Sequence, residues 1–191
     1  MKSKTLIFSL FILVVLAQLY VPFKMILDEE NVLKTGKEFK FETAPIDPED
    51  PFRGKYISLH FKNNSFPIKN KKNWIRNEEV YVVLRNNKEG FAEIENVLLN
   101  EPKNKKEYIK AKVEYVISTS KSKKITIKYP FERFYMKETK AKNAELLAAK
   151  TLNETAKIVY ASVFVKNGKA VLNNVLIDGV PIKDLVSEKE N

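Results

Sequence analysis

The sequence predicts a mainly β domain, an antiparallel sandwich or partly open barrel with one packed helix, preceded by an N-terminal transmembrane helix. Three observations carry this expectation. A nearly unbroken apolar run extends from Leu6 to Tyr20. Short segments of alternating polarity recur between Phe39 and Ile177, and a period of two is the mark of a half-buried strand. One stretch alone in that region, Thr139 to Leu152, places apolar residues at helical spacing.

The apolar run is the first element. With Val21, Pro22 and Phe23 added, a helix from about Thr5 to Phe23 rises roughly 28 Å, near the ~30 Å hydrocarbon thickness a spanning helix must match. A signal peptide cleaved after Val15-Leu16-Ala17 is the competing reading. The apolar residues continue through Met25, Ile26 and Leu27, with Val32 and Leu33 following at helical spacing, which favours an uncleaved anchor. Lys2 and Lys4 form a short positive flank of the kind retained in the cytoplasm. The reading is therefore a cytoplasmic tail, anchor and helical extension over 1–36 and an extracytoplasmic domain over 37–191, in a bacterial cytoplasmic membrane. Gly36 is expected to end the helix in a left-handed cap.

Beyond Gly36, Phe39 and Phe41 share one face, and Pro45, Pro48 and Pro51 exclude a helix in the connector that follows. The run Lys55 to Phe61 places Ile57, Leu59 and Phe61 on one face and Tyr56, Ser58 and His60 on the other. Further strands are predicted over 79–85, 91–99, 107–117, 123–129, 157–165 and 170–177. Segments 86–90 and 118–122 read as turns, and Asn167-Gly168 is a strong hairpin signal. In the helix, Ala144, Leu147, Ala148 and Thr151 share a face.

Composition narrows the chemistry. The chain of 191 residues has no cysteine, which excludes disulfides, thiolate metal sites and a cysteine nucleophile. Its net charge of +10 comes almost wholly from lysine. Nucleic-acid readers favour the bidentate fork of arginine, found here only at Arg53, Arg76, Arg85 and Arg133, so nucleic acid is not an expected partner. His60 is the sole histidine, and with no zinc-protease or finger spacing, neither a metal nor another cofactor is expected. Asp47, Glu49 and Asp50 could offer oxygens to calcium, but the intervening prolines describe a rigid turn more simply.

The run Asp47-Pro48-Glu49-Asp50-Pro51-Phe52-Arg53-Gly54-Lys55-Tyr56-Ile57-Ser58-Leu59-His60-Phe61 resembles the signature of the bacterial GDYXXLXY family, with Gly54, Tyr56 and Leu59 matching directly. Lys55 stands where the family has aspartate and Phe61 where it has its final tyrosine, so acid chemistry at the first position is not carried over. Tyr129-Pro130-Phe131-Glu132-Arg133-Phe134-Tyr135, with Glu138, is similar to a later family segment, and Val175 to Gly179 to its terminal strand. The resemblance implies a membrane-anchored, extracytoplasmic domain without an assigned activity, often encoded near a polytopic membrane protein. It supplies no catalytic residue.

The residues singled out are thus Arg53, Gly54, Tyr56, Leu59, Glu132, Arg133 and Glu138, as an interaction site and not a catalytic one. Gly54 suits a bulge or close backbone approach, and Arg53 and Glu132 are expected to pair across the sheet. The leading function is a non-enzymatic module that binds another membrane protein through the surface near the bilayer. A second reading is binding of anionic lipid or an envelope polymer by the lysine-rich strands from Lys103 to Lys128. The third is a serine–lysine hydrolase. Ser58 and Lys55 would face opposite sides of one strand, so such a dyad needs a distant lysine such as Lys128.

Overall fold

The computed structural model describes residues 2–44, 56–68, 74–103, 106–118, 122–154 and 157–186. Arg53, Gly54, Lys55, the proline connector from Pro45 to Pro51 with its three acids, and most of the 118–122 turn lie outside the described residues.

Helix α1 is continuous over Lys2–Thr35. Its stretch Leu6–Thr35 is long and apolar enough to cross a bilayer, and the domain buries none of its most apolar window. The last turns do meet the domain. Val32 is buried, Lys169 Nζ lies 2.6 Å from Asp28 Oδ2, and Lys166 Nζ donates to Thr35 Oγ1 at 2.5 Å and Asn31 Oδ1 at 3.2 Å. Gly36 ends the helix for a reason other than the one expected. Its φ is not among the positive values; instead a Cβ there would sit 2.5 Å from the Val32 carbonyl oxygen and 3.0 Å from that of Val165. Only glycine lets the helix end this close to the neighbouring strand.

The strands then follow as β1 (Lys37–Glu42), β2 (Tyr56–Ser58), β3 (Ser65–Pro67), β4 (Glu79–Asn86), β5 (Ala92–Leu98), β6 (Tyr108–Ser118), β7 (Lys123–Lys128) and β8 (Arg133–Tyr135). Helix α2 (Glu138–Glu154), strands β9 (Val159–Lys166), β10 (Lys169–Ile177) and β11 (Val180–Pro181), and helix α3 (Ile182–Leu185) complete the chain. All strand pairs are antiparallel, in orders β1-β9-β10-β11, β3-β7-β6-β4-β5 and β2-β8. Isolated bridges join the two larger sheets: Lys40 with Phe91 on one side, and Ile109 with Gly168 on the other. The result is the nearly closed, barrel-like β architecture that the alternating runs predict.

The core follows the alternation. Phe39 and Phe41, then Ile57, Leu59 and Phe61, are all buried. So are Val159, Ala161, Val163 and Val165, the inward face of β9. Helix α2 closes over β2 and β9 with Ala144, Ala148 and Thr151 buried and Leu147 packed on the core. Small residues suit that face because the helix lies close to the sheet. Asn167 and Gly168 have φ of 49° and 80°, the two positive values a tight twisted hairpin requires.

One predicted strand is broken. Its described part, from Tyr56 to Phe61, keeps the alternation of burial, but only Tyr56–Ser58 forms a strand there. The Leu59 amide still donates to the Glu132 carbonyl at 2.8 Å, beside β8, but from His60 the run changes partner: the His60 carbonyl accepts from the Ala44 amide at 2.8 Å and Phe61 bridges Thr43. Side-chain pattern reports burial, which survives; it does not report which neighbour takes the backbone hydrogen bonds.

Candidate functional site

The two motif segments meet. Strand β2 pairs β8 with Tyr56 opposite Tyr135, Ile57 opposite Phe134 and Ser58 opposite Arg133. Ile57 and Phe134 point inward and are buried, so alternation turns Tyr56, Ser58, Arg133 and Tyr135 to the other face. There the Tyr56 and Tyr135 rings are 5.4 Å apart between centroids, and the Arg133 guanidinium lies 4.9 Å from the Tyr56 centroid. The hydrogen bond to Tyr135 holds the Arg133 guanidinium above its ordinary pKa, so it is a cation at every accessible pH. Tyr135 is 61% exposed.

Beneath this face an aromatic cluster locks the motifs to β1. Phe41, Phe61, Tyr129 and Phe131 lie with every pair of centroids between 5.0 and 5.7 Å, mostly edge to face. Such pairs add about 0.5–1.5 kcal/mol each beyond area burial. The Tyr129 hydroxyl donates to the Asn63 carbonyl at 3.0 Å, and full burial pushes its pKa far up. It is a structural hydroxyl and does not titrate in use.

Glu132 lines a cleft of about 50 Å³ with Ser58, His60, Asn64, Glu114 and Tyr129. Burial raises its pKa; Lys128 and His60 pull it down, and Glu114 pushes it up again. Its expected partner Arg53 lies outside the described residues. The cleft is too small for a substrate, and no lysine is among its lining residues, while Ser58 stands opposite Arg133. Among the described residues no group of three or more acids and histidines could hold a metal.

Leu59 is a core residue at 4% exposure, and Glu138 opens α2, its side chain outside the described set. Of the predicted site residues the structure thus brings Tyr56 and Arg133 together on one face, while Glu132 and Leu59 line the small cleft instead. Tyr135 and Ser58 join the face without having been chosen from sequence. The signal was present in the alternation of Arg133, Phe134 and Tyr135, which sets Arg133 and Tyr135 on one side.

A family model described as GDYXXLXY protein matches residues 18–175. The chain belongs to the GDYXXLXY family. No curated protein and no solved structure matches it. The match begins inside α1, so the junction of helix and GDYXXLXY domain is part of the matched region. It ends at Val175, leaving the Asp178-Gly179 turn beyond it. Phe61, which replaces the final tyrosine of the family name, is 4% exposed within the four-ring cluster. An apolar ring there needs no hydrogen-bond partner.

Proposed function

We propose that this protein is a signal-anchored, non-enzymatic module that presents its domain outside the cytoplasm to a polytopic membrane protein. The observation that carries this reading is the exposed face of Tyr56, Arg133 and Tyr135, built where the two motif segments join. Tyrosine and arginine are the residues most enriched at the energetic centres of protein interfaces. Here the guanidinium and the two mutually tilted rings already lie against one another, which lowers the ordering cost of binding.

The hairpin and α1 are joined by side-chain bonds at one end of β10. The tip of the β9–β10 hairpin docks on Asp28 and Thr35. The β2–β8 face sits toward the other end of β10, where Lys183 of α3 lies 4.8 Å from the Phe134 ring. Eight residues of strand separate it from the tip by roughly 27 Å along β10. Lys2 and Lys4, a short positive flank of the kind retained in the cytoplasm, support the orientation.

The test is crosslinking in intact cells followed by purification in moderate salt. One stoichiometric membrane protein should be recovered with the native chain and lost with Arg133→Ala and Tyr135→Ala, both folded. Recovery that is indifferent to both substitutions refutes the reading.

A second reading has its own observation. Lys112 faces Lys128 across β6 and β7 and Glu79 across β6 and β4, and with Lys110 and Tyr81 these three line a groove of about 270 Å³. Like charges directly opposite are unfavourable, and with Glu79 as the one acid among three lysines the groove keeps a net positive charge that an anion would offset. Binding to vesicles containing phosphatidylglycerol that falls steeply with salt, and is lost in Lys112→Gln/Lys128→Gln, would favour this reading.

A further inference from the structure

Within α1, the apolar stretch between Lys4 and Lys24 contains a polar amide, Gln18, in its outer half. The interval of twenty residues between the two lysines rises roughly 30 Å, the thickness of the hydrocarbon layer. Gln18 then lies roughly 9 Å inside the boundary near Lys24.

A second polar group lies at the same residue. Pro22 is inside the helix and has no N–H to donate, so the Gln18 carbonyl four residues earlier loses its helical partner. Side-chain amide and freed carbonyl are both on the exposed surface of α1, where lipid offers neither donor nor acceptor. Among the described residues no hydrogen bond to the Gln18 side chain occurs, and the residue is exposed.

We propose that Gln18 is the centre of a parallel homodimer seam formed by α1 with α1 of a second copy of this chain. An amide both donates and accepts, so an identical helix brings a complementary group. Every copy inserts with the same orientation, so that group arrives at the same depth. Phe11, Val15, Gln18, Pro22 and Met25 recur at alternating spacings of four and three, the period of a helix–helix seam. Asp28, Asn31 and Thr35, which bond the hairpin lysines, lie roughly a third of a turn away around the helix, and none of the five seam residues is buried. The domain therefore leaves the seam open.

This inference rests on α1 spanning the bilayer, and not on the identity of any other partner. The chain has no cysteine, so Lys88→Cys in an exposed turn gives one labelling site. Donor- and acceptor-labelled full-length chains are placed in phosphatidylcholine vesicles and energy transfer is followed against the protein-to-lipid ratio. Flotation reads insertion separately. The expected result is transfer well above chance proximity, retained in Gln18→Asn and requiring about five- to tenfold more protein in Gln18→Leu. Equal transfer in Gln18→Leu, or wild-type transfer no higher than that of an unrelated single-span protein, overturns the dimer. A photocrosslinker at position 18 that traps a different protein in native membranes also overturns it. A wild-type chain that fails to float overturns the anchor reading as well.

Discussion

Replacing Gly168 by alanine probes the contact that joins hairpin tip, sheet and anchor helix. Two costs add. The backbone has φ of +80°, where an L side chain costs about 1–2 kcal/mol. The new Cβ would also stand 2.7 Å from Tyr108 Cε2 and 3.1 Å from Lys110 Cγ, an overpacking of the kind that costs about 1–3 kcal/mol. Gly90 supplies the control, since its φ is +85° with nothing within 4 Å of a built Cβ. Gly90→Ala should therefore lose only about 1–2 kcal/mol and Gly168→Ala about 2–5 kcal/mol. The sole tryptophan, Trp74, is 7% exposed, so its fluorescence reports urea unfolding of the full chain in detergent micelles. Equal losses in the two variants would show that the Tyr108 contact is not made and that the tip does not close against β6.

Three other outcomes are expected. Phe61→Ala opens the four-ring cluster and should cost about 3–5 kcal/mol by the same fluorescence measurement, whereas Tyr129→Phe, which removes only the hydroxyl bonded to Asn63, should cost about 0.5–1.5 kcal/mol. For Glu132, burial raises the folded pKa above the ordinary 4.5, so its share of stability is complete below that value and is lost as pH rises through the folded one. Glu132→Gln should then be at least as stable as the native chain at pH 7, the difference closing toward pH 4; destabilisation by about 1–3 kcal/mol would instead reveal the ion pair with Arg53 expected from sequence. Arg133→Ala should leave the unfolding midpoint unchanged within about 0.5 kcal/mol, as for other surface substitutions, so that any loss of partner is read at the face and not in the fold.

Much of the candidate site was legible because it is written in local periodicity. Ile57, Leu59 and Phe61 inward, with Tyr56 and Ser58 outward, follow from alternation alone. Pairing was not legible: nothing in the run from Lys55 to Phe61 says that its hydrogen bonds pass from β8 to the end of β1 midway. Strands β3 and β11, of three and two residues, are too short for a period to register.

By itself the chain order of polar and apolar groups determined an apolar helix, a series of short strands, the Asn167-Gly168 hairpin and the small-residue face of α2, since each depends on neighbours within a few positions. The tertiary structure alone decided that Gly36 is needed for close approach to Val165, that the hairpin tip closes on β6 while bracing α1, and that Tyr135 completes a face with Tyr56 and Arg133. Those facts join residues tens of positions apart, and such contacts are set by the packing of whole sheets, which no local pattern encodes.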